Sequence, residues 1–146
     1  MPDRGARHGQ SGALFEAWAA ARQRGEALKR ELLADPQMLS SKAMADRLGM
    51  SATGIREKRK RHEILGLSFA NRGMRYPAWQ LMPDQQIVPG MARLFGVLGD
   101  DPWRVYRFLQ QRHSELGGRR AIDVLRQGRI DAVTAAAANL ALGAFS

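Results

Sequence analysis

Between Arg56 and Arg61 five of six side chains are cations, broken only by Glu57. Guanidinium and ammonium groups in such a run can pair with phosphate oxygens, and an arginine can also hydrogen-bond a base edge. Wound on a helix at about 100° per residue, the run is one-sided. Ala52, Thr53, Arg56, Arg59 and Lys60 gather on one face. Ile55, the Lys58 stem and His62 fall on the other, which is expected to turn inward. Small side chains beside the cations let a helix backbone approach a groove closely. A solvated basic face usually mixes signs, and here only Glu57 and Glu63 interrupt, so the pattern points to nucleic acid.

Other chemistry finds little support. His113-Ser114-Glu115 offers acid–base groups, but a lone histidine near a helix end is more often structural. "LGGRR" could cradle a phosphate, yet the P-loop pattern is missing. With no cysteine and only two histidines beyond residue 12, no metal cluster is available. The chain is expected to be no enzyme and to need no metal or cofactor.

The elements that must hold the cations are local. Residues 41–48 read as a short helix, Gly49 as its left-handed stop, and Ser51 as the hydroxyl cap of a third helix from Ala52 to about Glu63. Helix, glycine turn, helix is the helix-turn-helix layout. Met44, Ala45, Leu48, Met50 and Ile55 would form its shared core. Leu65–Phe69 and Met74–Tyr76 flank Asn71-Arg72-Gly73 as a β-hairpin. A hairpin placed there is a wing, its tip carrying Arg72 and Arg75 toward the DNA backbone or minor groove. The expected DNA-contacting set is therefore Ser51, Ala52, Thr53, Arg56, Arg59, Lys60, Arg72 and Arg75.

Upstream, residues 13–34 read as a helix with Leu14, Trp18, Ala21, Gly25, Leu28 and Leu32 in heptad spacing. This seam could pack on the chain's own core or on a second copy. Asp35-Pro36 should stop the helix. Downstream, Pro83–Pro89 reads as a linker, followed by helices near 90–98, 102–112, 120–127 and 130–142. Asp101 and Pro102 mark the start of the second of these.

The bulk properties agree with a DNA-binding front half. The 146 residues carry a net charge of +9. Residues 1–82 hold 15 Lys/Arg against 8 Asp/Glu, whereas residues 83–146 hold 8 against 6. A membrane-binding helix would want bulky apolar residues opposite the cations, which 40–61 lacks. The longest apolar stretch is too short to span a bilayer. The protein is expected to be soluble and cytoplasmic. The expected fold is mainly α: residues 1–12 a flexible leader, 13–82 a helix plus a winged helix-turn-helix with a small β-hairpin, and 83–146 an α-helical interaction module. A homodimer is expected, because one helix-turn-helix reads few base pairs. Single-stranded RNA would want aromatics interleaved with the cations, and Trp18, Trp79 and Trp103 stand elsewhere.

The segments "RYPAWQL" and "PWRVYRFLQQRHSELGGRRAIDVLRQGRIDAVTAAAANLA" resemble the Xre/MbcA/ParS antitoxin family, over roughly residues 41–146. The matching positions are Leu116, Gly118, Ile122, Asp123, Leu125, Gly128, Val133 and Ala136. The sequence departs at Arg120-Ala121, where the family commonly has Thr-Pro. Its winged segment is also closer to excisionase or MerR-type domains than to the phage-repressor type. The resemblance implies a type II antitoxin that represses its own operon and neutralises a RES-domain, NAD-degrading toxin. Leu116, Gly118, Arg119, Arg120, Leu125 and Arg126 would form its toxin-binding corner. The alternative is a winged helix-turn-helix regulator whose C-terminal half only dimerises.

Overall fold

The computed structural model describes residues 2–143, with side chains from Gly12 onward. Met1 of the expected leader and residues 144–146 of the expected C-terminal module lie outside the described residues. The chain divides into two compact units, Met1–Pro36 and Gln37–Ser146.

The first unit holds one helix, α1, Pro2–Ala34. The stretch expected as a leader is therefore helical from Pro2, where a proline in the first turn sacrifices only an N–H that has no intrahelical partner. The helix stops before Asp35-Pro36, as the proline requires. Within the heptad seam Leu14 and Trp18 are exposed, and Phe15 beside them is too.

The second unit opens with a short strand, β1 (Met38–Ser40), and then α2 (Ser41–Leu48). The Ser40 hydroxyl caps α2 by accepting from the Ala43 N–H at 3.1 Å. Gly49 takes φ 66°, a left-handed turn that costs glycine no Cβ clash. Ser51 then caps α3 (Ala52–Lys60), accepting from the Gly54 N–H at 3.1 Å. α3 ends one turn short of the expected Glu63, where His62 turns to φ 59°. Met44, Ala45, Ile55, Ile64, Tyr76 and Leu81 are buried together, with Leu48 and Met50 packed on them.

Strands β2 (Leu67–Phe69) and β3 (Gly73–Pro77) form the hairpin. β1 pairs on the other side of β3, giving an antiparallel sheet of order β1-β3-β2. The pairing of Ser40 with Arg75 and of Met38 with Pro77 places the start of α2 beside the base of the hairpin. The result is a mainly helical winged-helix fold.

The remaining elements are α4 (Met91–Leu98), α5 (Pro102–Gln110), the two-residue strands β4 (Arg112–His113) and β5 (Arg119–Arg120), α6 (Ala121–Arg126) and α7 (Ile130–Gly143). The Asp101 carboxylate caps α5 by accepting from the Arg104 N–H. α4 packs on α7, and α6 packs on both α5 and α7.

No domain boundary falls at residue 82. The expected linker is bound into the fold: Met82 N–H donates to Gln86 O and Val88 N–H to Gln80 O, both at 2.8 Å. Val88 is buried, and Ile87 packs on the helix-turn-helix core. Aromatic contacts also cross the expected boundary. The His62 ring stacks on Phe95 at 4.3 Å, and Phe69 meets Trp103 edge-on at 5.5 Å. Two prolines mark irregular backbone here, but burying Val88 and Ile87 outweighs the tendency of such a segment to stay free.

Candidate nucleic-acid interface

α3 presents Ala52, Thr53, Arg56 and Lys60 to solvent, as the helical wheel predicts. Ile55 points inward, only 1% exposed. Ser51 is exposed, its hydroxyl oxygen engaged by the Gly54 N–H. The hydroxyl can still donate its own hydrogen.

The cations of this region separate into two groups once their partners are known. Lys58 and Arg61 both lie against Glu63, at 3.7 and 3.6 Å, so they share one carboxylate within the chain. Arg56, Arg59, Lys60 and Arg72 form no side-chain hydrogen bond or ion pair with any described residue. Among the described residues no carboxylate offsets their charge. Arg59 differs from the other three in being half-buried. Its Nε is closed off from solvent and donates to no acceptor among the described residues. Its stem lies over Gly66, where an added Cβ would come within 2.9 Å of Arg59 Cδ and 2.8 Å of Tyr76 Cε1. With Lys60, Ser68 and Met74 it lines a cleft of about 490 Å³ that also takes in residues of α5.

The wing corrects one expectation. Arg72 stands exposed in the turn between β2 and β3, with Asn71 in the left-handed region at φ 63°. Arg75 does not project with it. Its Nη1 donates to Arg72 O and Met74 O, each at 3.0 Å, and its side chain is half-buried. Arg75 therefore braces the tip, because the reversal leaves carbonyls that the short ladder cannot satisfy.

The C-terminal corner departs further from expectation. Leu116 and Leu125 are 5% and 0% exposed, so neither offers a contact surface. Leu125 packs with Ile130 against Gly90, where a Cβ would sit 2.8 Å from Ile130 and 3.3 Å from Leu125. Gly118 is exposed at φ 76°, and its carbonyl accepts from Arg112. Arg119 donates to Leu116 O and to Gln127. Arg120 forms an ion pair with Asp123 at 3.1 Å and also reaches Gln110, holding the start of α6 without the proline of the resembled pattern. Arg126 Nη1 donates to Trp79 O at 2.6 Å and Leu81 O at 2.9 Å. These arginines are tied to their own chain, and the motif positions Ile122, Val133 and Ala136 are core as well. Truncating Leu125 to Ala should thus lower stability by about 2–5 kcal/mol, measured by denaturant unfolding. A change within about 0.5 kcal/mol would mean that Leu125 is not core.

Two features lie beyond the reach of the sequence pattern: the fully buried Gln80 and the His62–Asp100 pair, whose Nε2 and Oδ1 lie 3.0 Å apart. Among the described residues no three His, Asp or Glu side chains gather as a metal set. Nor is any described helix long and apolar enough to cross a membrane.

A helix-turn-helix followed by an antiparallel wing defines the winged-helix class. No family model matches the chain, and no curated protein matches it. Among solved structures, the NMR structure of Rv2175c is similar in fold, with a TM-score of 0.61 at 19% identity. The match covers 73% of this chain and 84% of that one, more than the winged segment alone could supply.

Proposed function

We propose that this chain is a duplex-DNA-binding regulator acting in the cytoplasm, with α3 in the major groove and the wing tip on the adjacent backbone. The observation that carries the reading is the set of four cations, Arg56, Arg59, Lys60 and Arg72, which have no side-chain partner among the described residues, while their neighbours Lys58 and Arg61 share Glu63. A basic face whose charges stay unpaired is suited to release counterions from a polyanion. Ala52 and Thr53 keep the start of α3 slender enough for a groove. A two-fold partner fits this reading, since a palindromic site doubles the number of base pairs read.

The proposal does not extend to a toxin partner. The positions that carry the antitoxin resemblance are largely those a small helical core needs anyway, and Leu116 and Leu125 have no exposed surface to give a partner.

The test is binding of the full chain to a duplex selected from a random-sequence library, against single-stranded RNA at the same salt concentration. Preference for RNA, or no selected duplex, would overturn the proposal. Arg72→Ala should weaken binding to all duplexes alike and reduce the slope of log affinity against log salt by about one unit. An unchanged slope would remove the wing tip from the interface.

A further inference from the structure

We propose that Gln80 and Arg126 are positioning residues for the wing, linking the C-terminal helices to DNA contact; the proposal rests on the DNA-binding reading above. The wing ladder is short. Its last pair toward the base is Leu67 with Arg75; β3 runs on to Pro77 paired only with β1, and a helical turn follows at 78–80. Leu65, two residues before Leu67 on the β2 side, is fully buried and lies outside the ladder. The Gln80 amide pairs with it instead. Its Nε2 donates to Leu65 O and its Oε1 accepts from Leu65 N–H, both at 2.8 Å.

A primary amide that pairs both ways with one residue reproduces a ladder rung. Gln80 is 0% exposed, so leaving either end unpaired would carry a desolvation cost, and this fixes the side chain in one orientation. Its backbone is fixed in turn by Arg126. The single Nη1 of that residue grips the carbonyls on either side of Gln80, those of Trp79 and Leu81. The path runs from α6 through Arg126 to the 79–81 backbone, through the Gln80 amide to Leu65, and so into β2.

The geometry makes this base sensitive. At roughly 3.3 Å per residue the Arg72 turn lies roughly 10 Å from Arg75, the last residue of β3 paired with β2, and roughly 16 Å from the end of β3 at Pro77. A small tilt at the base therefore moves the tip farther than a charge-assisted hydrogen bond tolerates. A purely structural role would lower stability alone. A positioning role predicts that Arg126 acts on DNA through Arg72.

The experiment is a double-mutant cycle on the full chain with the selected duplex, using Arg126→Met, Arg72→Ala and the combination. Arg129→Met, on an exposed arginine, controls for lost net charge. Arg126→Met should weaken binding about tenfold and lower the salt slope by about one unit, and in the Arg72→Ala background it should add little. Arg129→Met should leave the slope closer to wild type, and Arg126→Lys, which can still donate to both carbonyls, should restore part of the loss. If Arg126→Met does not fold, Gln80→Asn, which shortens the amide by one methylene, should give the same coupled pattern. Wild-type affinity and slope in a folded variant, or effects that add to those of Arg72→Ala, would overturn the proposal. If the wild type binds no duplex, the DNA-binding reading itself has failed, and this proposal falls with it.

Discussion

A fragment ending at Met82 is expected to lose cooperative folding and with it all DNA binding. The helix-turn-helix looks self-sufficient along the sequence, but its buried face continues into residues that such a fragment lacks. Phe69 of the wing, 3% exposed, would lose the Trp103 edge against it, and His62 would lose Phe95. Trp79 O and Leu81 O would lose Arg126, and Gln80 O would lose the Val88 N–H. Ile87 would leave the core cluster. Aromatic contacts of this kind contribute about 0.5–1.5 kcal/mol each beyond their buried area. The lost hydrogen bonds cost about 0.5–1.5 kcal/mol each, because water replaces the missing donors. Against a total of about 5–15 kcal/mol for a small domain, these losses are decisive. The fragment Gln37–Ser146 contains all of the lost contacts and should melt cooperatively by circular dichroism. A cooperative transition and duplex binding in the 1–82 fragment would mean that the two halves fold independently.

The combined Arg56→Ala, Arg59→Ala and Lys60→Ala variant should lose DNA affinity by at least about 100-fold while keeping its fold. Arg56 and Lys60 are exposed and form no side-chain hydrogen bond or ion pair with any described residue, so their removal should leave stability nearly unchanged. Arg59 is different: its stem covers Gly66, and its loss should cost some stability through packing. Thermal unfolding therefore accompanies the binding measurement. If two or three of these charges face phosphates, the salt slope should fall by about 2–3 units. Arg56→Ala alone should relax sequence preference by about 1–3 kcal/mol if Arg56 reads a base. Promoter-like duplex binding by a folded triple variant at wild-type affinity would move the interface away from α3.

What the sequence alone determined is the part governed by contacts three or four residues apart. The Ser51 cap, the Gly49 turn, the inward Ile55 and the outward Ala52, Thr53, Arg56 and Lys60 all follow from helical spacing and single-residue backbone preferences, and the structure places each as read. The wing turn was legible for the same reason, through Asn71 and Gly73. β1, β4 and β5 were not, since strands of two or three residues are too short to show an alternating pattern. Tertiary structure alone decided which cations are available. Glu63 reaches Lys58 and Arg61 because α3 stops at Lys60, and Arg75 folds back onto its own turn. It also decided that residues 37–146 are one unit. The bond from Arg126 to Trp79 joins its two halves and that from Gln80 to Leu65 ties the base of the wing, each running from a side chain to backbone, 47 and 15 residues away respectively. A backbone carbonyl is the same at every position, so a bond to it leaves no mark on the residue that accepts it.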